Sequence, residues 1–259
     1  MKKLLLFLLL FSCAVPSYAY DNTYAVIIGI ADYKYDIVSD LKCTLNDARS
    51  FSKFLMSKEG GSVPAKNICL LTESNAARNN IIRKAKALFS KAGKNDRVIF
   101  YFSGHGDEGF FVPYDYNGTA ETTLFYSDIK SIFKSAKSNT KLLFLDACFS
   151  GGIKGPSTHR RDDRTSSKNL NIAVMSASRS DEVSWESDKG MGVFTYYLMQ
   201  GLGGAANLDG NGYITIQELY YYVYKQVTKK TQSAEYSSQQ TPQLFGKFDL
   251  RLIVGKVQQ

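Results

Sequence analysis

The feature that most constrains the fold is a repeated switch between two hydrophobic periods. Short runs that are apolar on both faces alternate with longer segments whose apolar residues recur at helical spacing. The runs are Tyr24 to Ile30, Ile68 to Leu71, Val98 to Phe102, Leu142 to Leu145 and Ile172 to Met175. Between them, Leu45, Ala48, Phe51, Phe54 and Leu55 fall on one helix face. Ala77, Ile81, Ile82, Ala85, Leu88 and Phe89 fall on a second, and Ile129, Ile132, Phe133 and Ala136 on a third. Two more helices are predicted near 193–202 and 216–227, and 243–254 reads as one or two closing strands. Strands that are apolar on both faces must be covered on both. The prediction is therefore an α/β fold, with a mainly parallel central sheet sandwiched by helices. No Pro- or Gly-rich linker divides the pattern and there is no internal repeat, so one domain over residues 20–259 suffices. The polar stretch Lys154 to Lys168 reads as a surface loop.

Residues 1–19 stand apart from this pattern. Lys2 and Lys3 precede an apolar run from Leu4 to Phe11 that continues past Ser12 to Val15. Pro16 breaks the run, and Ser17-Tyr18-Ala19 places small residues where a signal peptidase needs them. This is the order of a secretory signal peptide cleaved after Ala19, and the run is too short for a comfortable membrane span. A lipoprotein site over Leu10 to Cys13 is disfavoured by the bulk of Phe11. The expectation is an exported protein, periplasmic or secreted, with no stable membrane span in its mature form. A content of 44% hydrophobic and 22% charged residues excludes disordered and collagen-like classes. The formal charge of +8 drops to +6 without Lys2 and Lys3. Its basic residues form no dense block, so the charge is read as solubility, and nucleic acid is not an expected partner. A monomer is expected.

The mature chain keeps Cys43, Cys69 and Cys148, with no paired CxxC zinc pattern. The odd count implies a free thiol and leaves open whether Cys43 and Cys69 pair. In open parallel sheets, sites form beyond the carboxyl ends of the strands. Val98 to Phe102 runs into Ser103-Gly104-His105-Gly106, and Leu142 to Leu145 runs into Asp146-Ala147-Cys148-Phe149-Ser150-Gly151-Gly152. If these strands are neighbours, His105 and Cys148 share one edge. A cysteine nucleophile needs thiolate character, which an imidazole supplies. The only other histidine, His159, lies in the polar stretch, so a Cys–His pair is fixed by elimination. Taken singly, Cys148 reads as an inert buried thiol and His105 as a turn residue. At two strand ends together they read as nucleophile and proton carrier.

SGHG after one apolar strand and DACFSGG after the next resemble the caspase-like cysteine peptidases, in particular the metacaspase and bacterial caspase-homologue branch. Leu41 to Ala48 (LKCTLNDA), Ser176 to Glu186 (SASRSDEVSWE), Gly192 to Thr195 (GVFT) and Thr241 to Gln243 (TPQ) resemble further segments of that family. The resemblance covers nearly all of residues 22–254. It implies a caspase–haemoglobinase fold and a polypeptide substrate, with His105 and Cys148 as the dyad. Gly106 and Cys148 would donate backbone N–H groups to an oxyanion. It also implies an acidic S1 pocket for Arg or Lys, at Asp47, Ser103 and Asp146. Read locally, Asp47 closes a Thr-x-x-acid capping box from Thr44, and Asp146 is a strand-end Asp bonding turn N–H groups. Thr44 stands where the family often has Cys, with Cys43 one residue earlier. The stretch holding Arg160, Arg161, Arg164 and Lys168 matches the processed linker of caspases and would suit self-cleavage.

Asn207 to Glu218 has calcium-loop spacing, with Asn207, Asp209, Asn211 and Glu218 as oxygen donors and Gly212 at the sharp turn. Thr215 to Glu218 is equally a capping box, and Asp-Gly-Asn-Gly an ordinary turn. Calcium is thus a candidate ligand, while no cofactor is required for the chemistry. Asp162 and Asp163 are the other acidic residues that suggest a cation. Trp185 and Tyr220 to Tyr222 read as packing or rim residues. Two alternatives to the peptidase are a catalytically silent caspase-like binding module and a calcium-binding interaction protein. A serine hydrolase is not expected, since no Gly-x-Ser-x-Gly elbow appears.

Overall fold

The structure is a computed structural model that describes residues 20–107, 109–147, 172–179, 182–187 and 189–257. The proposed signal peptide, Cys148 and the Lys154–Lys168 stretch lie outside the described residues.

The main sheet is built from β1 (Thr23–Gly29), β2 (Ile68–Thr72), β3 (Arg97–Ser103), β7 (Thr140–Asp146), β8 (Ile172–Ser176) and β10 (Gln243–Gly246). Their order is β10-β8-β7-β3-β1-β2, and all pairings are parallel except β10 on β8. Three very short strands, β4 (Gly106–Asp107), β5 (Phe110–Phe111) and β6 (Leu124–Phe125), form an antiparallel minor sheet next to the end of β3. A two-stranded pair joins β9 (Tyr213–Thr215) to β11 (Ile253–Lys256). The helices are α1 (Thr44–Met56), α2 (Arg78–Phe89), α3 (Tyr126–Lys134), α4 (Val193–Gln200) and α5 (Ile216–Thr231). After α4 the chain continues through a wider π-type turn at Gly201–Ala205, which Gly204 ends with a φ of 128°.

Alternation along each strand sorts the core into two layers. Val26, Ile28, Val98, Phe100, Phe102, Leu143, Leu145 and Val174 face α2 and α3. Ala25, Ile27, Ile99, Tyr101, Leu142, Phe144, Ala173 and Met175 face α1, α4 and α5. This is why each run is apolar throughout. Gly29 lets α1 settle on β1, since a Cβ there would meet Thr44 O and Ala48 Cβ at 2.5 Å. Cys43 and Cys69 are both free. Cys43 begins α1 on one face, whereas Cys69 packs against the core of the other, so the sheet stands between them.

Phe51 is the centre of the α1 layer. It is fully buried, stacks on Tyr101 at 4.6 Å and meets Phe144 edge-on. Phe51→Ala is expected to cost about 3–5 kcal/mol of unfolding free energy. Urea unfolding checks this, and a loss below about 1 kcal/mol would contradict the packing described.

Candidate active site

Register fixes the site. Gly29 pairs with Ser103, and Ser103 with Asp146, so β1, β3 and β7 end level. β3, which ends two residues before His105, and β7, which ends two residues before Cys148, therefore stop side by side, so the condition for a shared edge is met at the strands. The alternation that turns Tyr101 and Phe144 toward α1 also turns Ser103 and Asp146 there. Asp47 lies one helical turn before Phe51 on α1 and faces the same place.

Asp47 and Asp146 are buried, at 2% and 6% exposure. Gly192 N–H donates to Asp47 Oδ1 at 2.8 Å, and the Ser103 hydroxyl donates to Oδ2 at 3.0 Å. Asp146 accepts from the Ser184 hydroxyl at 2.6 Å, and from the Thr195 hydroxyl and N–H at 2.6 and 3.2 Å. Tyr101 in turn bonds the Thr195 hydroxyl. Gly192 is wedged between the two acids: a Cβ there would lie 2.3 Å from Asp146 Oδ2 and 3.1 Å from Asp47 Oδ2. Among the described residues no Lys or Arg pairs with either carboxylate. Burial, reinforced by the charge of Asp146, pushes the Asp47 carboxyl up to about 8 against the opposing bonds from Gly192 and Ser103. Burial likewise raises Asp146, against its bonds from Ser184 and Thr195, and the charge of Glu186 adds to the rise.

The local readings of both acids give way here. The residue preceding α1 is Cys43, with no side-chain cap, and the Thr44 hydroxyl donates to Ile30 O at 2.7 Å. Thr44 and Asp47 therefore form no capping box, and Asp47 is left to the site. Asp146 bonds the start of α4 and the Ser184 hydroxyl. A third carboxylate, Glu186, escaped the sequence reading. Its Oε1 accepts the Cys43 N–H at 3.1 Å, and its backbone bridges Gly192. Burial, then the charge of Glu186, pushes the Cys43 thiol up to about 12.

His105 lies past β3 with its Nε2 2.8 Å from Ser39 O. A carbonyl oxygen only accepts, so Nε2 carries the proton and Nδ1 keeps its lone pair. Burial lowers the imidazole's proton affinity, opposed by the Ser39 bond, and this favours the neutral ring. His105 C=O accepts from Val112 N–H at 3.0 Å, so Gly106 and Phe111 form a non-hydrogen-bonded pair. In a trans peptide C=O and N–H point oppositely, so Gly106 N–H points away from β5.

In the predicted calcium loop, Asp209 accepts from the N–H and side-chain amide of Asn211, while Asn207 and Asn211 accept from Gly212 and Tyr213 N–H groups. Glu218 accepts from Leu208 N–H and, as the capping partner of Thr215, from that residue's N–H and hydroxyl. Among the described residues, no three or more His, Cys, Asp or Glu group to hold a metal. Trp185 packs edge-on against Tyr236 and donates its ring N–H to Ser238 O.

Asp47→Asn tests the burial of these acids. A folded-state carboxyl raised above its unfolded value binds an extra proton between about pH 4 and pH 8, so folding stability falls across that window as pH rises. The variant is expected to match the parent near pH 4 and exceed it by roughly 1 kcal/mol or more near pH 8. Urea midpoints check this, and a difference that does not grow with pH would contradict it.

A sequence model of the caspase domain family matches residues 22–249. A probable protease of a Desulfuromonadales bacterium is 29% identical over 150 residues, 49% of this chain and 18% of that protein. Metacaspase-1 of Pyricularia oryzae is 33% identical over 90 residues, 32% of this chain and 22% of that protein. The alignments thus span about a fifth of these relatives' lengths. Caspase-1 of Spodoptera frugiperda superposes with a TM-score of 0.64 at 14% identity, covering 93% of both chains. A structural-genomics protein of Geobacter sulfurreducens gives 0.64 at 15% identity, covering 91% of this chain and 98% of its own. These superpositions establish the fold, and the family match establishes the lineage: the chain belongs to the caspase-domain peptidases, a family of cysteine-type endopeptidases.

Proposed function

We propose that this chain is an exported cysteine endopeptidase that hydrolyses polypeptides after Arg or Lys, with His105 and Cys148 as its dyad. One observation carries the specificity: two buried carboxylates, with Glu186 nearby and no cation among the described residues to neutralise them, sit at the strand edge that leads to the dyad positions. Buried acids without a partner are costly, and a guanidinium or ammonium guest offsets that cost with charge-assisted bonds. Export is proposed from the order of charged, apolar and small residues in 1–19.

In this reading the Cys148 thiol passes its proton to the free Nδ1 of His105 as the sulfur attacks the scissile carbonyl, and the carbonyl electrons move onto oxygen. Gly106 N–H, which no strand partner uses, and Cys148 N–H stabilise that oxyanion. The C–N bond breaks as His105 delivers a proton to the leaving amine, and a thioester remains. Water, losing a proton to the imidazole, attacks the thioester. The acid product leaves and the thiol is restored. No cofactor enters these steps.

The test is an assay of the exported chain, whose first residue is expected to be Tyr20, on fluorogenic peptides with Arg, Lys, Asp or Asn at P1. Hydrolysis is expected after Arg and Lys alone. Cys148→Ala should abolish it, and Asp146→Ala should reduce kcat/KM by about 100-fold or more, as the loss of one partner of a buried charge pair does. Cleavage after Asp would contradict the acidic pocket while sparing the dyad. No cleavage, with Cys148 slow to alkylate, would favour the silent binding module.

A further inference from the structure

The mechanism leaves one half-buried hydroxyl beside His105 without a role. The Tyr33 hydroxyl accepts the backbone N–H of His105 at 2.9 Å, with its ring 5.4 Å from the imidazole. We propose that Tyr33 is a positioning residue, which holds the His105 backbone so that the imidazole and the Gly106 N–H are aimed together. The inference rests on the reading of His105 as the proton carrier.

The parallel ladder of β3 stops where Gly104 N–H donates to Asp146 O at 3.3 Å, so the next N–H, that of His105, has no strand to bond. A half-buried N–H must find another acceptor or lose free energy. Tyr33 supplies it. Burial raises the phenol's pKa well above its ordinary value, which keeps the hydroxyl neutral. His105 is then held at three points: its N–H by Tyr33, its C=O by Val112 N–H, and its ring by Ser39 O. The middle bond also orients the Gly106 N–H, because both belong to one planar peptide. A shift at the first point is passed to the ring and to the oxyanion donor alike.

Tyr33 is itself well anchored. Its N–H donates to Asp40 Oδ1 at 3.0 Å, and Leu41 N–H closes the segment onto Ala31 O at 2.9 Å. Val38 of the same segment is buried in a small core with Phe110, Val112 and Tyr116, under the minor sheet. The segment from 31 to 41 thus brings both Tyr33 and Ser39 to one histidine. Gly104 makes the approach feasible, since a Cβ there would lie 3.0 Å from the Tyr33 hydroxyl and 3.1 Å from the Phe102 ring. None of these groups belongs to the Asp47–Asp146 pair, so substrate binding in S1 should not sense them.

Tyr33→Phe deletes only the hydroxyl. The expected result is a kcat lower by about 10–100-fold, per titrated active site, with KM unchanged within about twofold. Gly104→Ala, which displaces the same hydroxyl, should reproduce this split, and the double variant should be no worse than the more impaired single. A readout independent of activity comes from histidine-labelled NMR, with His159→Gln removing the second imidazole. Wild-type His105 should show one Nε2–H tautomer, and its backbone amide should be protected from hydrogen exchange. In Tyr33→Phe that protection should vanish, and the ring signals should move toward an averaged tautomer. Unchanged kcat and unchanged His105 signals in a folded Tyr33→Phe would overturn the proposal. So would a wild-type His105 amide that exchanges as fast as an open loop. If no peptide is cleaved by the wild type, the peptidase reading fails, while the NMR and exchange results still decide whether Tyr33 holds His105.

Discussion

The edge of this molecule is organised around two buried acid groups that no Lys or Arg among the described residues neutralises. Asp47 and Asp146 come from different elements, α1 and β7, and a third element, the start of α4, closes over both. Such a pair is tolerable because polar contacts surround it. Gly192 N–H, Thr195 N–H and three hydroxyls donate to the four oxygens, and the raised proton affinities show that these donors only partly offset burial. Gly192 fits because any side chain there would collide with Asp146 Oδ2.

The level ends of β1, β3 and β7 bring this acid pair to the edge of the sheet. Strand alternation sends Ser103 and Asp146 to the α1 side, and the next residues carry the chain out over the edge. The imidazole is served from elsewhere, by the segment between β1 and α1 and by the minor sheet. In the proposed peptidase, recognition and proton transfer would thus be built from separate parts of the structure that meet at two adjacent strand ends.

The sequence made the scaffold legible because burial on both faces leaves runs that no surface strand shows. Each of the five apolar runs lies within two residues of its observed strand, whereas 243–254 divides into β10 and β11 in different sheets; the two apolar phases of Val98 to Phe102 face the two helical layers. The minor sheet was not legible, since strands of two residues carry no period. His105 was read from its place at the end of an apolar strand, whereas Asp47, Ser103 and Asp146 came into view only through the family resemblance. The capping role offered for Asp47 failed because the Thr44 hydroxyl is spent on Ile30 O, a contact set by tertiary packing. Glu186 was missed because a lone Glu in a loop has no local signature. Ser39 was missed because it acts through a carbonyl that every residue possesses, and Tyr33 because its partner lies 72 residues away.

The account's central claim is that the acid pair takes up a cation in exchange for a proton. Isothermal titration with benzamidine, near pH 7 and in two buffers of different ionisation heat, reads that exchange directly. Since the Asp47 carboxyl is raised to about 8, the empty site holds a proton at this pH. Binding of the amidinium should release close to one proton, and affinity should rise with pH up to about 8 before levelling. Tight binding with no proton released and no dependence on pH would contradict the claim, as would no binding at all.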